Sequence, residues 1–250
     1  RPLVIAGSYS GNTEETIDGY QAARKRKLPV AVIASGGKLI DLATRDRVPY
    51  LQLPNTGIQP RMATGFALRA LLKIVGDEKG LQESARLAKT LKPALYKKAG
   101  ERLAKKLDGK VPIVYASARN LAIAYNWKIT FNETGKIPAF YNILPELNHN
   151  EMNGFDVQPT TKKLCAPFHF IFLTDKQDHP RVQKRMVILE RLYEQRGLMV
   201  DKQTISGKNT FEQIFSSLLT ADWTAVAIAE HYSLESEQVP MVEEFKRLMK

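Results

Sequence analysis

Three hydroxyls, one glycine and a helix start fall within Ser8-Tyr9-Ser10-Gly11-Asn12-Thr13-Glu14-Glu15-Thr16. The apolar run Leu3–Ala6 precedes them and reads as a short buried strand. Glu14–Lys27 follows and reads as a helix. A strand-to-helix turn offers backbone N–H groups and the positive end of a helix dipole, and both suit a phosphate. Ser8, Ser10 and Thr13 add hydroxyl donors, and Gly11 lets the backbone come close to a ligand. The competing explanation is plain helix capping by Asn12 or Thr13, with Glu15 in the first turn. Capping needs one hydroxyl, and this turn carries three.

Further along, Glu133 closes a helical pattern just before Thr134-Gly135. A carboxylate there opposes the helix dipole, and Gly135 accounts for the stop but not for the acid. Taken alone, Glu133 reads as a solvated helix end. His149 lies in Leu144-Pro145-Glu146-Leu147-Asn148-His149-Asn150-Glu151, just past an expected strand. Active groups of α/β proteins gather at strand C-termini, and imidazole moves protons near neutral pH. Arg61 follows Pro60 beyond another strand end, from which it could reach the same crevice. Lys246 stands in the last helical pattern, where a surface lysine is the ordinary reading. The other histidines, His169, His179 and His231, sit inside a strand run, before a proline and at a helix end. No two histidines have ligand spacing and there is no cysteine pair, so no metal site is expected.

The elements that must position these groups alternate. Leu3–Ala6, Val30–Ala34 and Tyr50–Leu53 read as strands, and helical patterns follow at Glu14–Lys27, Lys38–Thr44 and Met62–Val75. That order predicts a parallel sheet flanked by helices, with Gly36-Gly37 as a tight turn. Leu81–Asp108 is charged and helix-prone, and Pro93 interrupts it. The pattern then restarts with strands at Val111–Ala116, Ala139–Leu144, Leu164–Leu173 and Leu198–Ile205. Helices are expected at Leu121–Thr130, Arg181–Arg196, Phe211–His231 and Pro240–Lys250. The reading is therefore an α/β chain with a first domain over 1–92, a helical connector over 93–108 and a second domain over 109–250. Three strands make a thin first sheet. The expectation is that the first domain is truncated at its N-terminus, the chain opening almost directly on a strand without methionine.

The chain has 250 residues, 44 % hydrophobic and 25 % charged, as a globular protein would. No apolar run approaches the ~20 residues of a membrane span, so no membrane partner is expected. The net charge of +11 is scattered along helices, with no nucleic-acid-binding motif, and no nucleic-acid partner is expected. An anionic small substrate accounts for part of it. The single cysteine, Cys165, lies in an apolar run and reads as a buried thiol in a reducing, cytoplasmic setting.

Together, residues 8–16, Gly36-Gly37, Pro60-Arg61, Asn132-Glu133 and 145–151 resemble the bifunctional phosphoglucose/phosphomannose isomerases of the sugar isomerase (SIS) domain superfamily. The ordered set spans essentially the whole chain. The resemblance implies two SIS-type domains, each a parallel sheet flanked by helices, in a homodimer whose active site lies at the domain and subunit boundary. It implies interconversion of glucose 6-phosphate or mannose 6-phosphate with fructose 6-phosphate, without metal or organic cofactor. Ser8, Ser10 and Thr13 match the phosphate-holding positions, and Glu133 matches the general base. His149 matches the ring-opening histidine contributed by the partner subunit. Arg61 matches the arginine beside the enediolate, and Lys246 a C-terminal lysine assisting ring opening. The alternatives are a non-catalytic sugar-phosphate sensor of the same fold and an isomerase acting on another sugar phosphate.

Overall fold

A computed structural model describes residues 1–249 of the chain. Lys250, at the end of the last expected helix, lies outside the described residues. The chain divides into two compact units, Arg1–Ala88 and the remainder from Lys89.

In the first unit, β1 (Val4–Gly7), β2 (Val30–Ala34) and β3 (Tyr50–Gln52) form a parallel sheet in the order β1-β2-β3. Helix α1 (Glu14–Lys25) joins β1 to β2, and α2 (Gly37–Arg45) joins β2 to β3. Side chains alternate across β2. Val30, Val32 and Ala34 join Ile17, Tyr20, Leu39 and Leu42 on the face covered by α1 and α2. Ile33 joins Leu53 and Ala70, the latter on α3 (Thr64–Val75), on the opposite face. The helix expected over Met62–Val75 begins as a 3-10 turn, Pro60–Ala63, and becomes α-helical only from Thr64. Helix α4 (Glu78–Thr90) follows.

The stretch expected as a connector is α5 (Ala94–Lys106), which packs inside the second unit. Its Leu103 and Ala104 enter the main core. A Cβ at Gly100 would lie 2.6 Å from Trp223 Cβ, so α5 and α10 (Thr210–His231) touch almost backbone to backbone. The remaining elements are β4 (Val111–Ser117), α6 (Leu121–Glu133), β5 (Phe140–Leu144), the single turns α7 (Glu151–Gly154) and α8 (Lys162–Cys165), β6 (Phe168–Thr174), α9 (Pro180–Glu194), β7 (Met199–Thr204) and α11 (Pro240–Leu248). The sheet is parallel, in the order β5-β4-β6-β7. Both faces are covered, as a parallel sheet requires. Val114, Ala116 and Ile171 meet Trp127, Phe131, Leu218 and Ile228 on one face. Tyr115, Phe170 and Phe172 meet Met186, Leu189 and Tyr193 on the other.

One strand boundary differs from expectation. The apolar run Leu164–Leu173 is not one strand: Leu164 and Cys165 belong to α8, and pairing begins at Phe168. Pro167 has no N–H to give to a ladder, and Leu164 is 71 % exposed. Cys165 is buried and unpaired. Among the described residues, no helix is long and apolar enough to cross a membrane.

Candidate functional site

The Ser8–Thr13 turn is held from two sides. The Ser8 amide donates to Ile33 O at 2.9 Å, and Tyr9 O accepts both the amide and the hydroxyl of Ser35 at 2.8 and 2.6 Å. Gly11 has φ +71°, and a Cβ there would lie 1.8 Å from Gly36 O. Gly37 also has φ +71°, and its Cβ would meet Ser10 O at 2.5 Å. The β1–α1 and β2–α2 turns are thus pressed into each other, and only glycine fits at the contact.

The hydroxyls converge within this frame. Ser8 Oγ and Thr13 Oγ1 are 2.8 Å apart, the Gly11 amide donates to Ser8 Oγ at 3.1 Å, and the Asn12 amide to Ser10 Oγ at 3.3 Å. Thr13 occupies the N-cap position of α1 but makes no side-chain cap. Asn12 Oδ1 instead accepts the Lys38 amide of α2 at 3.0 Å. Simple capping of α1 therefore does not account for the cluster. The first-turn amides of α1 face a turn lined with hydroxyls, an arrangement suited to an anion. Arg61 lies half-buried in the 3-10 turn before α3.

The second unit separates its two candidate proton-transfer groups. Helix α6 runs back along β4 and β5, so Glu133, its last residue, lies at the N-terminal edge of that parallel sheet. His149 follows β5 and lies exposed at the C-terminal edge. Helix α6 has 13 residues, about 20 Å at 1.5 Å per residue. Glu133 and His149 of one chain are therefore held at opposite poles of one sheet.

Each pole has its own clamp. Lys136, at φ 57°, donates through Nζ to Glu133 O at 2.6 Å and also to Gln238 O. This cation offsets the α6 dipole beside Glu133 and ties the lead into α11 to the same pole. A Cβ at Gly135 would come within 2.8 Å of Phe131 O, so the turn after Glu133 needs that glycine. Lys246, on α11, pairs with Glu243 at 2.8 Å, and both are exposed. At the other pole, Glu151 accepts from Tyr115 Oη at 2.5 Å and from Asn142 Nδ2. Tyr115 and Asn142 are register partners on β4 and β5, so Glu151 fastens the His149 segment to the sheet. Burial, and then the neighbouring Tyr193, push the Tyr115 hydroxyl far above the ordinary phenol value, so it stays a donor.

The sequence offers no role for Lys136 or Glu151, and it suggests Asn12 as a cap of α1, whereas its side chain serves α2. Glu151 stood in a quoted motif, and its partner Tyr115 lay in a plain strand run. Among the described residues, no group of acids, histidines and cysteines could hold a metal ion.

Residues 96–249 match the model of the bacterial phospho-glucose isomerase C-terminal SIS domain. The chain is 33 % identical over 250 residues to a bifunctional phosphoglucose/phosphomannose isomerase of Aquifex aeolicus, covering 99 % of this chain and 76 % of that protein. This chain belongs to the bifunctional phosphoglucose/phosphomannose isomerase family. Within that family's wider relations, a D-glucosamine-6-phosphate 4-epimerase of Sulfolobus acidocaldarius is 36 % identical over 162 residues, 63 % of this chain and 52 % of that protein. The structure of tagatose-6-phosphate ketose/aldose isomerase from Escherichia coli superposes with a TM-score of 0.67 at 15 % identity, covering 94 % of this chain and 69 % of that one. At that identity the likeness concerns the fold alone.

Proposed function

We propose that this isomerase-family chain interconverts glucose 6-phosphate or mannose 6-phosphate with fructose 6-phosphate. Its kinship, over 99 % of the chain and 76 % of the relative, with a named phosphoglucose/phosphomannose isomerase carries the reading. Ser8, Ser10 and Thr13 hold the phosphate at the start of α1. Glu133 takes the proton from C2 of the open-chain aldose and returns it to C1, through a cis-enediolate. A positioned base of this kind contributes about 10²–10⁴ in rate. Arg61 stabilises the negative enediolate oxygen. C2 is planar in that intermediate, so one base serves both epimers. His149, assisted by Lys246, passes a proton between the C1 hydroxyl and the ring oxygen to open the sugar. No metal or organic cofactor is needed for these steps. A reducing cytoplasm suits the buried, unpaired Cys165.

The opposite poles of Glu133 and His149 support a site assembled from two copies of the chain, in which His149 comes from the partner. The test mixes Glu133→Gln chains with His149→Ala chains and follows each hexose 6-phosphate by NMR. Activity should return to about a quarter of wild type, because half of randomly mixed dimers are hybrids with one intact site of two. No rescue would mean that His149 acts within its own chain.

The epimerase relative motivates a second reading, in which the same phosphate turn holds glucosamine 6-phosphate. The same spectra separate the two: fructose 6-phosphate supports isomerisation, and a 4-epimer of the amino sugar supports the other. Binding without turnover would support a sensor.

A further inference from the structure

We propose that the second unit carries a separate binding site for a small uncharged polyol or monosaccharide, at the C-terminal end of β7. A cavity of about 240 Å³ opens there between β7, α5 and α10. Tyr96, Trp127, Gln203, Ser206, Glu212 and Ser217 supply most of its chemistry. At about 30 Å³ per water molecule it holds several waters or one small ligand, and it is smaller than the ~300 Å³ at which drug-sized sites begin.

The lining fits a neutral polyhydroxyl compound. The Tyr96 phenol gives flat apolar surface, and around it stand an amide, two serine hydroxyls and one carboxylate, with the Trp127 indole packed beneath them. The Trp127 indole N–H donates to Ser217 Oγ at 3.0 Å, which leaves the Ser217 hydroxyl proton free to point elsewhere. Trp127 is fully buried and Ser217 is 8 % exposed, so both sit at the floor. Glu212 Oε2 accepts the Lys208 amide at 3.2 Å, and Oε1 remains for a ligand hydroxyl. Among the described residues, no lysine, arginine or histidine lines the cavity, and Glu212 is its one carboxylate. A phosphorylated sugar meets a carboxylate there and no cation, so the cavity selects against the anionic substrates of the proposed reaction.

The walls are preorganised. Ser216 Oγ donates to Ser206 O at 2.9 Å, and Asn209 Oδ1 accepts the Glu212 amide at 2.9 Å as the cap of α10. A Cβ at Gly207 would lie 2.6 Å from Gln213 N, so the loop after β7 is pressed onto the helix. The cavity lies outside the carboxyl end of the edge strand β7, on the side of the sheet where parallel α/β folds bind ligands but away from the switch point between β4 and β6.

The test uses the Trp127 indole N–H resonance of the full chain, with glucose, glycerol and glucose 6-phosphate as probes. Glucose or glycerol should shift it saturably in the millimolar range. The affinity for glucose 6-phosphate at this resonance should be at least tenfold weaker. The double variant Gln203→Leu/Ser206→Leu should weaken the glucose response tenfold or more, with isomerase turnover unchanged. Turnover is read separately, so loss of the isomerase reading would leave this result standing. An indole resonance that glucose and glycerol leave unmoved would overturn the proposal. So would an equal response in the double variant.

Discussion

The C-terminal edges of the two parallel sheets carry opposite chemistry. In the first unit, the turn after β1 gathers Ser8, Ser10 and Thr13 around the start of α1, with Gly11 wedged against Gly36. In the second, the strand order reverses between β4 and β6, where such folds usually bind ligands. There the chain buries two aspartates, Asp175 and Asp178, each 5 % exposed. Ser117 Oγ donates to Asp178 Oδ1 at 2.6 Å, Asn120 Nδ2 to Asp175 Oδ2 at 3.1 Å, and Arg119 pairs with Asp175 at 3.5 Å. One edge offers neutral donors to an anion, and the other has closed its crevice with acids and their own donors. The same architecture twice over does not give two edges suited to an anion: the side chains at the turn decide. The proposed function accordingly assigns the phosphate to the first unit and proton transfer to Glu133 and His149 of the second.

The interlocked turn is the feature whose loss should cost most. Gly11→Ala forces a left-handed backbone and a clash at 1.8 Å, and should destabilise the protein by about 3 kcal/mol or more. Gly197→Ala, in the second unit, also sits at positive φ but meets open space, and should cost only about 1 kcal/mol. Urea denaturation of both variants checks the ratio. Equal losses would mean that the Gly11–Gly36 contact contributes nothing beyond backbone strain.

Ser8→Ala and Ser10→Ala come next. On the proposed assignment each removes a hydrogen bond to the substrate phosphate, worth about 1.5–3 kcal/mol, and should raise KM about tenfold or more with a smaller change in kcat. Asp178→Asn at the other edge should leave KM within about twofold, since this buried acid accepts from Ser117 and is no part of the proposed phosphate turn. Steady-state kinetics with each hexose 6-phosphate would contradict the contrast if the two edges responded alike.

The smallest effect concerns Asp178 itself. Burial is the main cause holding its pKa above the ordinary 3.8, with Asp175 adding to it, and Oδ2 has no hydrogen-bond partner. The folded chain therefore keeps this proton at pH values where the unfolded chain has lost it. Rising pH costs stability through the window from 3.8 up to the raised value. Asp178→Asn removes the buried charge and should stabilise the protein at pH 7, by about 1 kcal/mol or less. The gain should shrink as pH falls through that window. Melting curves at several pH values check it, and a gain that grows in acid would contradict the sign.

Periodicity made much of this architecture legible. The run Val30–Ala34 reads as a strand because it is apolar throughout, and β2, buried on both faces, occupies those residues. The hydroxyl turn could be read because strand, glycine and helix start are local signals. Long-range contacts were not legible. Nothing in the sequence says that Asn12 caps α2 rather than α1, or that Glu151 reaches back to Tyr115 on β4. The apolar run from Leu164 hid a helical turn because hydrophobicity alone does not register the missing amide of Pro167. The poles of Glu133 and His149 follow from the direction in which α6 returns along the sheet. Residue types at the two positions carry no trace of it.

The proposed division of labour rests on assigning Glu133 as the proton shuttle. The direct measurement is exchange of the substrate C2 hydrogen with deuterated water, catalysed by wild type and by Glu133→Gln, with hexose 6-phosphate binding followed in parallel. The expected result is unchanged binding within about threefold, with exchange and isomerisation falling together by about 10² or more. A Glu133→Gln protein that binds the substrate and still exchanges C2 at near wild-type rate would contradict the account.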